Sequence, residues 1–323
     1  MATGFKRHGM FYVPVDFAPE TKHWSESREP VYGGVIRLVR TALKIQGIDV
    51  FVQGMENLPL AGGALFAFNH TGYYDFILGG VPSWIKSQRL VRFMTKREIF
   101  DVPLVRNFMR GMKHISVDRS AGAAALEEAI ERINDGQLVG IFPEATISRS
   151  FEVKDLKNGA IRIASTTGAP LIPVTIWGSQ RIWTKGQPKN LRHPNVPVLV
   201  RVGKPLELTG DVERDLADLH RVMQAQLDDV RAEYNQLFGP FEPGLAWMPA
   251  SLGGTAPTLD EARQLEKEDR ERREAERTSK RERTLGRLNR IADAKANLAM
   301  GSAGFFEKLK LRLQLLRDNR RGS

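Results

Sequence analysis

Between positions 49 and 202 the sequence repeats one pattern: a short apolar run, an amphipathic or turn-rich stretch, then another apolar run. The runs fall at 49–53, 63–68, 90–94, 114–118, 138–142, 170–176 and 196–202. They are too short for helices and rich in Val, Ile, Leu and Phe, which reads as strands. Helical periodicity fills several gaps, at 74–85, 103–109, 121–135 and 159–167. Strands alternating with helices predict an α/β fold, a mostly parallel sheet flanked by helices. In such a sheet the functional loops leave the carboxyl ends of the strands.

The flanks read differently. Residues 1–29 are polar, carry Pro14 and Pro19, and predict an irregular N-terminal arm whose Phe11, Tyr12, Phe17 and Trp24 pack on the domain. Residues 31–45 predict a basic amphipathic helix, with Val35, Leu38, Val39, Ala42 and Leu43 near helical spacing among Arg37, Arg40 and Lys44. Such a helix either packs on its own domain or lies in a membrane interface. A long helix is predicted over 209–237, with Leu216, Leu219, Met223, Leu227, Val230 and Tyr234 on one stripe, closing a domain that spans 30–238. Gly and Pro mark 239–258 as a linker, with Trp247 and Met248 placed to pin it. Residues 259–323 predict a charged helical C-terminal extension. Its first part, 259–290, alternates in charge and reads as a solvated helix or weak coiled coil. Its last part, 305–317, is short, basic and amphipathic, suited to an anionic lipid surface or to self-association.

The strand at 63–68 runs into Asn69-His70-Thr71-Gly72-Tyr73-Tyr74-Asp75. This strand-to-helix turn places a His and, five residues on, an Asp in the first helical turn, where the dipole favours a carboxylate. The imidazole can fold back on that carboxylate, which fixes its tautomer and supports the imidazolium. The pair is a Ser-His-Asp triad without its nucleophile, and a substrate hydroxyl can fill that place. Spacing alone favours the plainer reading, a satisfied His beside a helix-capping Asp. The sequence has no Cys, which excludes disulfides, thiolate metal sites and a Cys nucleophile. Six unclustered His predict no metal site, and no Gly-x-Ser-x-Gly elbow occurs.

A second stretch, Phe142-Pro143-Glu144-Ala145-Thr146, follows another predicted strand. Together the two resemble the NHxxxxD and FPEGT-type motifs of the glycerolipid acyltransferases, the lysophosphatidic acid acyltransferases, in order and separation. The resemblance covers roughly 54–203. It implies transfer of a fatty acyl group from acyl-coenzyme A or acyl carrier protein to the hydroxyl of lysophosphatidic acid, with no acyl-enzyme and no cofactor beyond the co-substrate. A glycerol phosphate or glycolipid acceptor is the alternative. His70 is then the general base and Asp75 its orienting partner. The block from Gly111 to Arg119 resembles the family's second motif, which makes Arg119 the phosphate contact. Glu144 and Thr146 belong to the third, acceptor-binding motif; a Glu cannot bind phosphate, so Glu144 is expected to hold Arg119 or a substrate hydroxyl. Ala145 replaces the usual Gly and predicts a backbone without positive φ there. Ile147 stands where an Arg often follows, and Arg149 is expected to supply that charge. Lys96, Lys154 and Lys157 are further basic candidates, each of which alone reads as a solvated Lys. Residues 171–176 resemble the fourth motif, an apolar strand with a Pro, and predict a structural role.

The formal net charge is +10, and 260–323 carries 18 Lys and Arg against 12 Asp and Glu. Such excess suits an anionic membrane face or nucleic acid. The mixed charge of the tail and the lack of any nucleic-acid module predict no nucleic-acid partner. A basic binding protein or a scaffold assembled through the tail is the non-enzymatic alternative. No stretch approaches the ~18 apolar residues of a membrane span, and the start lacks the apolar core of a signal peptide. These features predict a cytoplasmic protein, peripheral on the cytoplasmic membrane face, binding a lysophospholipid acceptor and an acyl thioester donor.

Overall fold

The computed structural model describes residues 3–23, 25–118 and 122–299, in two compact units, 1–259 and 260–323. In the first unit the strands are β1 (Phe5–His8), β2 (Phe11–Pro14), β3 (Asp49–Gln53), β4 (Ala64–Phe68), β5 (Val91–Lys96), β6 (Ile115–Val117), β7 (Leu138–Ile141), β8 (Leu171–Trp177) and β9 (Pro197–Val202). They form one sheet in the order β1-β2-β3-β9-β8-β4-β7-β5-β6. Neighbours run parallel except β1 against β2 and β8 against β9. The helices are α1 (Pro30–Ile45), α2 (Asp75–Gly79), α3 (Val81–Ser87), α4 (Arg97–Phe100), α5 (Pro103–Gly111), α6 (Gly122–Asn134), α7 (Gly159–Thr167) and α8 (Val212–Phe238).

A central strand buried on both faces needs apolar residues at every position rather than alternate ones. β4 (Ala-Leu-Phe-Ala-Phe) and β8 (Leu-Ile-Pro-Val-Thr-Ile-Trp) are buried throughout. Phe66, Phe68, Ile172 and Ile176 pack with Leu43 of α1, Leu78 of α2 and Ile85 of α3 on one face. Leu65, Ala67, Leu171 and Trp177 pack with Ala129 of α6, Ile161 of α7 and Leu227 of α8 on the other.

Residues 1–29 depart from the irregular arm the sequence predicts. β1 and β2 extend the sheet, because aromatic side chains there find partners far along the chain. Tyr12 stacks on Phe51 with ring centroids 4.4 Å apart, and Phe5 meets Phe51 edge-on at 5.1 Å. Two ion pairs tie the following segment to β5 and the residues just before it: buried Glu26 meets Arg89 at 3.3 Å, and half-buried Glu29 meets Arg92 at 2.5 Å. Of the aromatics predicted to pack the arm, Trp24 lies outside the described residues.

The helix predicted over 74–85 is broken into α2 and α3 at Gly80. Pro82, near the start of α3, has no N–H to continue the ladder, and a Cβ on Gly79 would stand 2.6 Å from the Phe68 ring. The linker at 239–258 belongs to the first unit. Phe241 and Trp247 meet edge-on at 4.9 Å, and the Arg181 guanidinium lies 4.5 Å from the Trp247 ring centre. α9 (Leu259–Ala299) is predominantly polar and runs nine residues past the predicted end. Residues 305–317 lie outside the described residues. No helix among the described residues is long and apolar enough to cross a membrane.

Candidate active site

β4 delivers the chain at Phe68 into Asn69 and His70 at the carboxyl end of the sheet. Asn69 is buried and its side-chain amide imitates a strand partner. It accepts the Ile176 N–H (2.7 Å) and donates to the Ile176 carbonyl (3.0 Å). The loop 142–148 grips His70 in the same way, through its backbone. The His70 N–H donates to Glu144 Oε1 at 2.8 Å, and its carbonyl accepts the Ser148 N–H at 2.7 Å. The Thr184 hydroxyl donates to the Thr71 carbonyl at 2.6 Å. The polypeptide around His70 is therefore pinned by three segments distant in sequence.

Asp75 begins α2 and is fully buried. Its Oδ2 accepts the N–H groups of Thr71 (2.7 Å) and Gly72 (2.8 Å) and lies 3.0 Å from His70 Nδ1. Its Oδ1 accepts the Ser179 hydroxyl. A carboxylate has no proton to give, so this network assigns the proton to His70 Nδ1 and leaves the lone pair on Nε2. Gly72 is required by contact: a Cβ there would stand 2.9 Å from Ser179 Oγ. The His70 ring packs on Phe142 at 4.3 Å between centroids, and Phe142 stacks in turn on Phe93 at 6.0 Å. The arrangement has the parts of a general base: a neutral nitrogen, a fixed tautomer and a rigid backbone.

Glu144 is buried, and both its oxygens are taken by backbone. Oε1 accepts the His70 N–H, and Oε2 accepts the Lys154 N–H at 3.2 Å. These two contacts hold the His70 loop, a partner the sequence does not point to. Burial pushes its carboxyl up to about 8, against the opposing pull of the His70 N–H and of Lys154. A raised acid pKa contributes stability that is present below the ordinary value of about 4.5 and is lost as pH rises through about 8. The wild-type melting temperature should therefore fall across that window, and Glu144→Gln should flatten the slope. A variant with the same pH profile as wild type would remove Glu144 as its source.

Ala145 has φ 61, which overturns the expectation of an ordinary backbone there. Its N–H closes a turn onto the Phe142 carbonyl (2.9 Å), and the next N–H, of Thr146, reaches the Glu144 carbonyl (2.8 Å). The left-handed conformation costs about 1 kcal/mol for a residue with a Cβ, so the turn needs the geometry even without its usual Gly. Thr146 accepts from Lys154 Nζ at 2.5 Å. Lys154 is itself buried, not solvated as its sequence suggests. Arg149 is half-buried, and a Cβ on Gly186 would lie 3.7 Å from its guanidinium. Lys96 is exposed at the end of β5, two strands from β4. Arg119 lies outside the described residues.

Structure thus joins His70, Asp75 and Glu144, and adds Ser179, Asn69 and Ser148, which sequence reasoning missed. For Ser179 the available signal was position, two residues after a strand at the same end of the sheet as His70. Among the described residues no group of three His, Asp or Glu could hold a metal ion.

A family model described as Acyltransferase matches residues 49–177. The 1-acyl-sn-glycerol-3-phosphate acyltransferase of Bacillus subtilis is 32% identical over 155 residues, which cover 47% of this chain and 75% of that protein. The chain belongs to the glycerolipid acyltransferase family. Another relative, the chloroplastic 1-acyl-sn-glycerol-3-phosphate acyltransferase BAT2 of Brassica napus, is 28% identical over 48% of this chain but only 44% of its own length. The chain therefore spans less than half of that acyltransferase. The crystal structure of the 1-acyl-sn-glycerophosphate (LPA) acyltransferase PlsC from Thermotoga maritima aligns with a TM-score of 0.47 and 23% identity, over 62% of this chain and 89% of that one. In this acyltransferase-family chain the matched span begins with β3 and ends with β8, and so contains both the His70 and Glu144 loops.

Proposed function

We propose that this protein transfers a fatty acyl group from an acyl thioester, acyl-coenzyme A or acyl carrier protein, to the free hydroxyl of lysophosphatidic acid, giving phosphatidic acid. One observation carries the reading. An apolar cavity of about 240 Å³ is lined by Phe76 and Ile77, the two residues that follow Asp75. Val81, Trp84, Phe93 and Met109 continue that lining, and Phe93 connects through Phe142 to the His70 ring. An acyl chain suits a cavity of that character, because burying methylene groups is its main source of affinity. The names of the relatives support the acceptor.

In the proposed step His70 Nε2 takes the proton of the acceptor hydroxyl as its oxygen attacks the thioester carbonyl. The C–S bond then breaks, and the imidazolium returns the proton to the departing sulfur. No acyl-enzyme forms, and no metal or cofactor enters. Asp75 keeps the imidazole oriented throughout.

Membrane association belongs to the same proposal, on the cytoplasmic face and without a span. α1 turns Val35, Ile36 and Val39 to the cavity and leaves Val31, Leu38 and Ile45 exposed. Those three recur every seven residues and form one stripe beside Arg37 and Lys44, the pattern of a helix lying on anionic lipid.

The test is release of free coenzyme A from a long-chain acyl-coenzyme A in detergent micelles, with and without lysophosphatidic acid. Release that needs the acceptor is expected. Release only with glycerol phosphate or a glycolipid would keep the chemistry and change the acceptor, while no release with any donor or acceptor would remove the acyltransferase reading.

A further inference from the structure

β6 is the last strand of the sheet, preceded in the chain by α5 and followed by α6. Beside it lies a second cavity, about 360 Å³ and polar, lined by Arg97, Arg106 and Arg110 together with His114, Ser116 and Glu128. Arg106 and Arg110 stand one helical turn apart on α5 and repel each other. The Arg106 Nε–H donates to the Phe100 carbonyl at 2.8 Å. No carboxylate among the described residues pairs with either guanidinium, although Asp101 also lines the cavity. Glu128 is engaged with Arg132 at 3.2 Å, and Arg97 with Asp118 at 2.5 Å. The cavity is therefore cationic, and its planar guanidinium groups suit the oxygens of a phosphate.

α5 also carries apolar side chains. Val105, Phe108 and Met109 line the apolar cavity of the acyl-transfer site, and Val105 and Phe108 are also exposed. His114 lines both cavities and so marks where they meet. Its Nδ1 accepts the Phe93 N–H at 3.0 Å, and burial drives its pKa down to about 3. The ring is therefore neutral, with its own proton on Nε2.

We propose that the arginine cavity at the β6 edge holds the phosphate of an acyl amphiphile whose chain lies in the adjoining apolar cavity. It is separate from the His70–Asp75 pair: β6 stands three strands from β4, roughly 14 Å at a spacing of ~4.8 Å per strand. The phosphate can come from a phospholipid head or from the coenzyme A part of the donor. The inference rests on the acyl-transfer reading only in assigning the apolar cavity to a chain.

Two binding measurements test it, and neither uses turnover, so its failure and that of acyl transfer are distinguishable. The first is cosedimentation with phosphatidylcholine vesicles with and without phosphatidic acid. The second is tryptophan fluorescence during titration with palmitoyl-coenzyme A, since Trp84 lines the apolar cavity. Removing two charge-assisted contacts in Arg106→Gln/Arg110→Gln should weaken one of these about tenfold. Loss confined to phosphatidic acid vesicles assigns the site to a lipid head, and loss with palmitoyl-coenzyme A assigns it to the donor. The control Arg162→Gln/Lys204→Gln removes the same charge from exposed positions away from the cavity and should bind as wild type. Arg110→Gln alone, which removes no hydrogen bond or ion pair among the described residues, should still weaken binding about threefold if the double variant fails to fold. Unchanged affinity for both probes, or an equal loss in the control, would overturn the proposal.

Discussion

His70→Ala is expected to lower kcat by about 10²–10⁴-fold, the usual contribution of a positioned general base, with KM for both substrates little changed. The fold should survive. The side chain of His70 touches the Phe142 ring and one oxygen of Asp75, while the bonds that shape the loop run through its backbone to Glu144 and Ser148. Alanine keeps both. The variant therefore separates chemistry from structure: acceptor-dependent release of coenzyme A should vanish while the thermal melt stays within a few degrees of wild type. Turnover near the wild-type rate in a folded variant would remove His70 as the base.

Asp75→Ala is expected to be severe in both respects. The buried carboxylate accepts from four donors: the Thr71 and Gly72 N–H groups, His70 Nδ1 and the Ser179 hydroxyl. Alanine leaves two buried backbone donors unpaired, at about 1–3 kcal/mol each. A stability loss of roughly 3–5 kcal/mol follows, which for a unit of this size lowers Tm by about 10 °C. The imidazole also loses its orienting partner, so kcat should fall with it. Asp75→Asn makes the contrast. Its amide oxygen can keep the two backbone N–H groups and His70 Nδ1, and its NH2 can donate to a reoriented Ser179 hydroxyl. That variant should keep most of the stability but lose the negative charge opposite the imidazolium, and with it much of kcat. Equal melting temperatures for Asp75→Ala and wild type would show that the carboxylate does not hold the loop.

The buried glutamate is the clearest case of a residue found by its motif whose backbone partners are not legible there. The Phe142–Thr146 block stands out in the sequence, and acceptor binding is the role its family resemblance suggests. In the folded protein each Glu144 oxygen accepts a backbone N–H, that of His70 across 74 residues and that of Lys154 across ten. Sequence shows that an acidic residue sits at a strand end. It does not show what lies opposite, because the partner is a backbone group that every residue carries.

Much of the architecture follows from local rules. Strand runs with no polar alternation imply a sheet covered on both faces, and β3, β4, β8 and β9 fall within a residue of where those runs lie. The His-Asp spacing across one strand-to-helix turn is also local, and the 3.0 Å contact of His70 with Asp75 spans only five residues. What the sequence alone determined is therefore the α/β order of elements and the core of the candidate base. Tertiary structure decided the rest. The strands β1 and β2 exist because Phe5 and Tyr12 meet Phe51, and Ser179 reaches Asp75 across 104 residues. The two cavities are lined by residues from several separate elements. The physical reason is range. Periodicity and turn chemistry act over a few residues and leave a readable pattern, whereas a buried hydrogen bond or a cavity wall is fixed only when distant segments pack together.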